Sequence, residues 1–155
     1  MKILIGCEFS GIVRDEFRDR GHECVSCDLL PSERGPLHHH QEDVRTVIKD
    51  GSPWDMIIMH PPCTALTVSG NRWYGKGTRM AHKRKEAVRW TMDLFTLAVS
   101  SAAHVAMENP VGVLPIKASQ YIQPWQFGHP ETKRTGLWLH NLPKLEPTNI
   151  VAGKE

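Results

Sequence analysis

A chain of 155 residues with 40% hydrophobic and 23% charged residues fits one soluble globular domain that buries its core without disulfides. Its 19 Lys/Arg against 17 Asp/Glu leave a net charge of +2, which excludes a globally basic nucleic-acid binder, and no apolar run reaches the roughly 18 residues of a membrane span. The first residues are too soon interrupted for a secretory signal, so a cytoplasmic protein with four reduced cysteines is expected.

Lys2 to Gly6 is an apolar run ending at glycine, the pattern of a buried first strand. The turn Gly6-Cys7-Glu8-Phe9-Ser10-Gly11 comes next. Ile12, Val13 and Phe17 then recur at helical spacing up to Gly21. Cys24 to Cys27 predicts a second strand with Asp28 at its carboxyl end, completing a βαβ unit. Cys24 and Cys27 form a C-x-x-C, but without a second such pair and within a buried strand it argues weakly for zinc or redox use. A polar stretch runs through Pro31, Gly35 and His38-His39-His40. Three adjacent histidines cannot all face one metal from regular structure, and no metal site is expected.

Asp43-Val44 precedes a short helix ending near Gly51. Trp54 to Met59 predicts a third strand, running into His60-Pro61-Pro62-Cys63, where the prolines break regular structure. Thr64 to Gly77, rich in Gly, Ser, Asn and Thr, predicts a mobile loop. Met80 to Ala102 carries Ala87, Val88, Thr91, Leu94, Phe95 and Ala98 at helical spacing, a long amphipathic helix with a basic first half. His104 to Met107 is the next strand, with Glu108-Asn109-Pro110 at its end. The chain is turn-rich after Pro124, and Thr135 to Leu139 predicts one late strand.

Strands alternating with helices predict a single α/β domain around an open, mostly parallel sheet. Ligands in such sheets sit beyond the carboxyl ends of the strands. Phe9 to Gly11, Asp28, Asp43, Pro62-Cys63 and Glu108 all fall there. The Gly6 to Gly11 turn lets a cofactor approach the backbone, although a simple tight turn explains it equally and it lacks the G-x-G-x-x-G dinucleotide fingerprint. Asp28 can accept from ribose hydroxyls or be a solvated acid; Asp43 can meet an adenine amino group by similar logic. A lone cysteine is by default structural. Two rigid prolines before Cys63, however, present its thiol to the cleft, where a thiolate attacks carbon 6 of a pyrimidine. A carboxyl at Glu108 can hold the pyrimidine N3 and share a proton with it, which makes carbon 6 more electrophilic. Between Arg72 and Arg89 stand seven basic residues and one acidic, a patch for phosphates or a solvated helix face.

These elements, in this order, resemble the DNA (cytosine-5) methyltransferase family over residues 3 to about 112. Phe9-Ser10-Gly11 is similar to its F-x-G cofactor motif, and Asp28 stands at its acidic ribose ligand. Glu42-Asp43-Val44 resembles its G-D-[IV] element. Pro62-Cys63 resembles its catalytic Pro-Cys, Ser69-Gly70 its following S-G, and Met107-Glu108-Asn109 its E-N-V. Thr132-Lys133-Arg134 stands near the place of its arginine-rich motif. The resemblance implies a Rossmann-like S-adenosylmethionine-dependent methyltransferase sheet, truncated at its C-terminal end and without a target recognition domain, as in minimal phage or mobile-element enzymes. It implies Cys63, Glu108 and Arg134 as catalytic residues, and Thr64 to Arg79 as a loop that closes over the substrate. Glu8, Phe9, Ser10, Gly11, Asp28, Asp43 and Pro61 would face S-adenosylmethionine; Pro62, Ser69, Asn109 and Lys133 would face the substrate. DNA and a free cytosine nucleotide both remain open as substrates. A non-catalytic cofactor-binding subunit, an amino-group methyltransferase, a homodimer and a separate recognition partner also remain open.

Overall fold

The structure, a computed structural model, describes residues 1–153. Its first strand, β1 (Lys2–Gly6), buries Ile3, Leu4 and Ile5 completely, as a strand covered on both faces requires. Helix α1 (Ile12–Asp19) leads to β2 (Glu23–Asp28), β3 (His39–Gln41), α2 (Val44–Gly51) and β4 (Trp54–Met59). The short α3 (Asn71–Tyr74) and the 21-residue α4 (Ala81–Ser101) come after β4, then β5 (Ala102–Pro110), β6 (Gln120–Ile122) and β7 (Thr135–His140).

All seven strands make one sheet in the order β3-β2-β1-β4-β5-β7-β6. Neighbours from β3 through β5 pair in parallel; β7 runs antiparallel to both β5 and β6. The order reverses direction between β1 and β4, the switch point at which an open α/β sheet leaves a crevice beyond its carboxyl ends. Helices cover the two faces unequally. One face packs Leu4, Ile57, Met59, Val105 and Met107 against Val47 and Ile48 of α2 and Leu94 and Ala98 of α4. The other packs Ile3, Ile5 and Cys24 against Val13 and Phe17 of α1.

The α/β class and the mostly parallel sheet agree with the sequence pattern, with three differences. His39–Gln41, read as irregular, pairs in parallel with β2. The C-terminal third supplies two strands rather than one, because Gln120–Ile122 pairs with β7. Residues 64–77 are not a featureless loop: a 3-10 turn spans Val68–Gly70 and α3 begins at the next residue.

Cys24 and Cys27 belong to opposite faces of the sheet, as three-residue spacing in a strand dictates. Burial pushes both thiols up to about 12, which keeps them in the thiol form near neutral pH. No helix among the described residues is long and apolar enough to cross a membrane.

Candidate functional site

The turn after β1 is built around an arginine. Cys7 and Gly11 both adopt the left-handed conformation, at φ 58° and 76°. At Gly11 a side chain is excluded twice, because a Cβ would also lie 2.7 Å from Nη2 of Arg14. Arg14 is buried beneath the turn and donates to Ser26 Oγ at 3.1 Å. The reversal at Cys7 lets the Glu8 amide donate to the Cys27 carbonyl at 3.0 Å. Glu8 is only 7% exposed; Ser10 Oγ donates to its Oε1, while Oε2 is buried without a partner. Phe9 is exposed at the mouth.

Cys7, Asp28, Leu29, Glu42, Pro62 and Trp90 are among the residues enclosing a cavity of about 130 Å3 over the switch point. Asp28 accepts from the Leu30 amide at 2.9 Å through one oxygen. Asp43 lines the same cavity and is held there by its neighbours. It caps α2 by accepting from the Arg45 amide at 2.8 Å, and Arg45 also reaches both its oxygens, at 3.0 and 2.6 Å. These bonds hold the Asp43 carboxyl below the usual carboxylate range. A carboxyl whose pKa is lowered by folding stabilises the fold above its unfolded value of about 4, and that stability is lost as pH falls through the lower folded value. Asp43→Ala is therefore expected to cost about 1 kcal/mol near neutral pH through the lost cap. The deficit should shrink in acid denaturation profiles; a deficit constant from pH 7 to pH 2 would contradict the assignment.

The second half of the site comes from β4 and β5. Their parallel register pairs Met59 with Met107, so the next residues, His60 and Glu108, are also neighbours. His60 Nδ1 lies 3.2 Å from Glu108 Oε2, and Nε2 is buried with no partner. His60, Glu8 and Ser10 are among the residues lining a second cavity of about 350 Å3 on the α1 side. His60 escaped the sequence reading, although its place one residue beyond an apolar strand, like that of Glu108, was the available signal.

Asn109 faces the other way, 1% exposed, and donates from Nδ2 to the Pro61 carbonyl at 2.9 Å. It was expected to touch substrate, but its burial makes it the residue that fixes the Pro61-Pro62-Cys63 segment to β5. Pro61 is likewise buried, and Pro62 is exposed beside Trp90. Cys63 is half-buried, and its carbonyl accepts from the amides of Leu66 at 2.8 Å and Thr67 at 3.0 Å. Asn109→Ala leaves the buried Pro61 carbonyl unsatisfied and is expected to destabilise by about 1–3 kcal/mol, measured as a shift in the urea midpoint at unchanged slope.

Arg84 of α4 ties down the segment from Ala65 to Asn71. It donates to the carbonyls of Ala65 at 2.7 Å and Thr67 at 2.9 Å, and to Asn71 Oδ1 at 2.6 Å. Counted in the sequence with the basic patch from Arg72 to Arg89, it is instead spent on groups of the protein itself. Ser69 is exposed on the 3-10 turn, 2.9 Å from Thr67 Oγ1. Arg134 and Lys133 are exposed just before β7; Arg134 lies over the Tyr121 ring at 4.2 Å. Thr135 pairs with Pro110, so both cations stand at the same end of the sheet as Glu108.

Of the three histidines in the polar stretch, His39 has both ring nitrogens engaged, at 2.8 Å from Ser26 Oγ and 2.9 Å from the Leu30 carbonyl. Among the described residues no group of three His, Cys, Asp or Glu is placed to hold a metal ion.

Fold and site together define an α/β protein with a switch-point crevice, a thiol and a histidine-paired carboxyl from adjacent strands. The chain matches no family model and no curated protein.

Proposed function

We propose that the protein methylates carbon 5 of cytosine, with S-adenosylmethionine as donor and Cys63 as nucleophile. One observation carries the reading. Cys63 follows β4 and Glu108 stands near the carboxyl end of β5, its parallel neighbour, and the Asn109–Pro61 hydrogen bond ties the two segments together.

The crevice residues fit the donor. Asp28 and Glu42 offer carboxylates to sugar hydroxyls, while Leu29, Val44 and Trp90 offer apolar surface to a purine. The unpartnered Glu8 Oε2 offers an acceptor to an ammonium group. When bound, S-adenosylmethionine supplies an electrophilic methyl group. The chain's own residues prepare the base. The Cys63 thiolate adds to carbon 6, and Glu108, held by His60, binds N3 and hands it a proton. Carbon 5 thereby gains nucleophilic character; once it carries the methyl group, loss of its proton to solvent expels the Cys63 thiolate from carbon 6, and N3 returns its proton to Glu108.

DNA is the favoured substrate because Arg72, Lys76, Arg79 and Lys83 remain exposed on the segment between Cys63 and α4 or on its first turn. The test is incubation with methyl-labelled S-adenosylmethionine and, in parallel, duplex DNA, single-stranded DNA and deoxycytidine nucleotides. Label on cytosine carbon 5 that is absent with Cys63→Ser is the expected result. Measurable donor binding with no label in any tube would overturn catalysis in favour of a binding subunit, and label in the nucleotide tube alone would overturn DNA.

A further inference from the structure

A groove of about 590 Å3 lies on the protein surface, and Arg72, Trp73, Arg79, Met80, His82 and Lys83 line it. Trp73 is 57% exposed, although a large aromatic ring is ordinarily among the groups most favoured for burial. It is also held in place. It belongs to α3, and the α3 residue Asn71 is gripped by Arg84 of α4 through a 2.6 Å hydrogen bond. Thr78 Oγ1 donates to the Trp73 carbonyl at 2.7 Å. The Arg72 guanidinium lies over the indole at 5.1 Å. A visitor to the groove therefore meets two planar surfaces, one aromatic and one cationic, with Arg79 and Lys83 at hand and no carboxylate on the lining.

We propose, resting on the proposed action of the chain on nucleic acid, that this groove takes an unpaired nucleobase of single-stranded DNA. The base stacks on Trp73 and Arg72, and its flanking phosphates meet Arg79 and Lys83. Stacking supplies affinity without sequence preference, because every base has a π face, and the cations track the backbone. A base inside an intact duplex has both faces covered and cannot stack on a protein side chain, so the groove discriminates against blunt duplex. Trp73 stands ten residues after Cys63, on the segment whose first turn is closed by the Leu66 and Thr67 amides on the Cys63 carbonyl.

The test is fluorescence anisotropy with labelled DNA and no donor present, in a Cys63→Ser background, so that binding is read independently of methyl transfer. The probes are a single-stranded 12-mer, the same 12-mer with abasic sites, and its blunt duplex. Trp73→Ala is expected to weaken single-strand binding about tenfold, a typical loss for one stacked base. It should leave the abasic strand and the duplex unchanged, and Trp73→Phe should retain most of the affinity. The double variant Arg79→Gln/Lys83→Gln is expected to weaken all three probes and to flatten the salt dependence by roughly one to two phosphate contacts. Unchanged single-strand affinity in Trp73→Ala, or an equal loss on the abasic strand, would overturn the proposal while leaving the methyltransferase reading intact.

Discussion

Cys63→Ser is expected to lower methyl transfer by at least about a thousandfold while leaving the fold and donor binding in place. Loss of a nucleophile that forms a covalent adduct removes the reaction path itself, and such losses reach several orders of magnitude. The fold should survive because the local turn is closed by the Cys63 carbonyl, not by its sulfur. The three other cysteines provide the contrast. Burial, joined by the nearby Cys27, Asp28 and Asp43, pushes the Cys7 thiol up to about 12, and burial does the same for Cys24 and Cys27. At pH 8 such thiols are ionised to about one part in ten thousand, too little for nucleophilic work. Serine at Cys24 or Cys27 is expected to reduce stability and spare the chemistry. Iodoacetamide at pH 8 should accordingly label Cys63 ahead of Cys7, resolved by peptide mass spectrometry. Faster labelling of Cys7 would show that the accessible thiolate is elsewhere.

The strands that hold these groups were legible because each is an apolar run. Ile3 to Ile5, Met56 to Met59 and Val105 to Met107 are apolar in succession and could only be interior strands of a covered sheet. Strand β3 was not legible for the opposite reason. His39, His40 and Gln41 carry no apolar signal, and they are extended because β2 presents an open edge and because Ser26 and the Leu30 carbonyl hold the His39 ring. The short helical structure after Cys63 was hidden for a related reason. Its composition is that of a loop, and its order comes from Arg84, which lies 13 to 19 residues away in sequence and spends its guanidinium on backbone carbonyls. A guanidinium bound to carbonyls and one bound to phosphates look alike in sequence.

The site divides along the same line. Cys63 and Glu108 could be named because prolines mark the ends of their apolar strands. The burial of Glu8 and Asn109 could not, since a carboxylate and an amide at strand ends are usually solvated. Asp43 shows how one short pattern serves two purposes: an acid before a helix is both a cap and a candidate ligand, and Arg45 fixes this capping carboxylate on the wall of the cavity.

Glu108→Gln is expected to lower turnover by about 100- to 10,000-fold, the range spanned by loss of general acid–base assistance. The amide keeps the shape of the carboxyl but cannot deliver a proton to N3. His60→Gln should cost less, because His60 acts through Glu108 rather than on the base. Its Nδ1 fixes Oε2 at 3.2 Å, and the parallel register of β4 and β5 leaves Glu108 beside it whether or not the ring is present. The two variants differ in kind as well as size. His60→Gln should raise KM as well as lower kcat, because Glu108 keeps its carboxyl but loses the partner that holds it against the base. Glu108→Gln should act on kcat, because the amide still occupies the place of the carboxyl beside the base. Glu108→Gln should bind the donor normally, since Asp28, Glu8 and the Gly11 turn are untouched. A Glu108→Gln protein that retains a tenth of its activity, or a His60→Gln protein with unaltered kcat and KM, would confine this pair to holding β4 against β5.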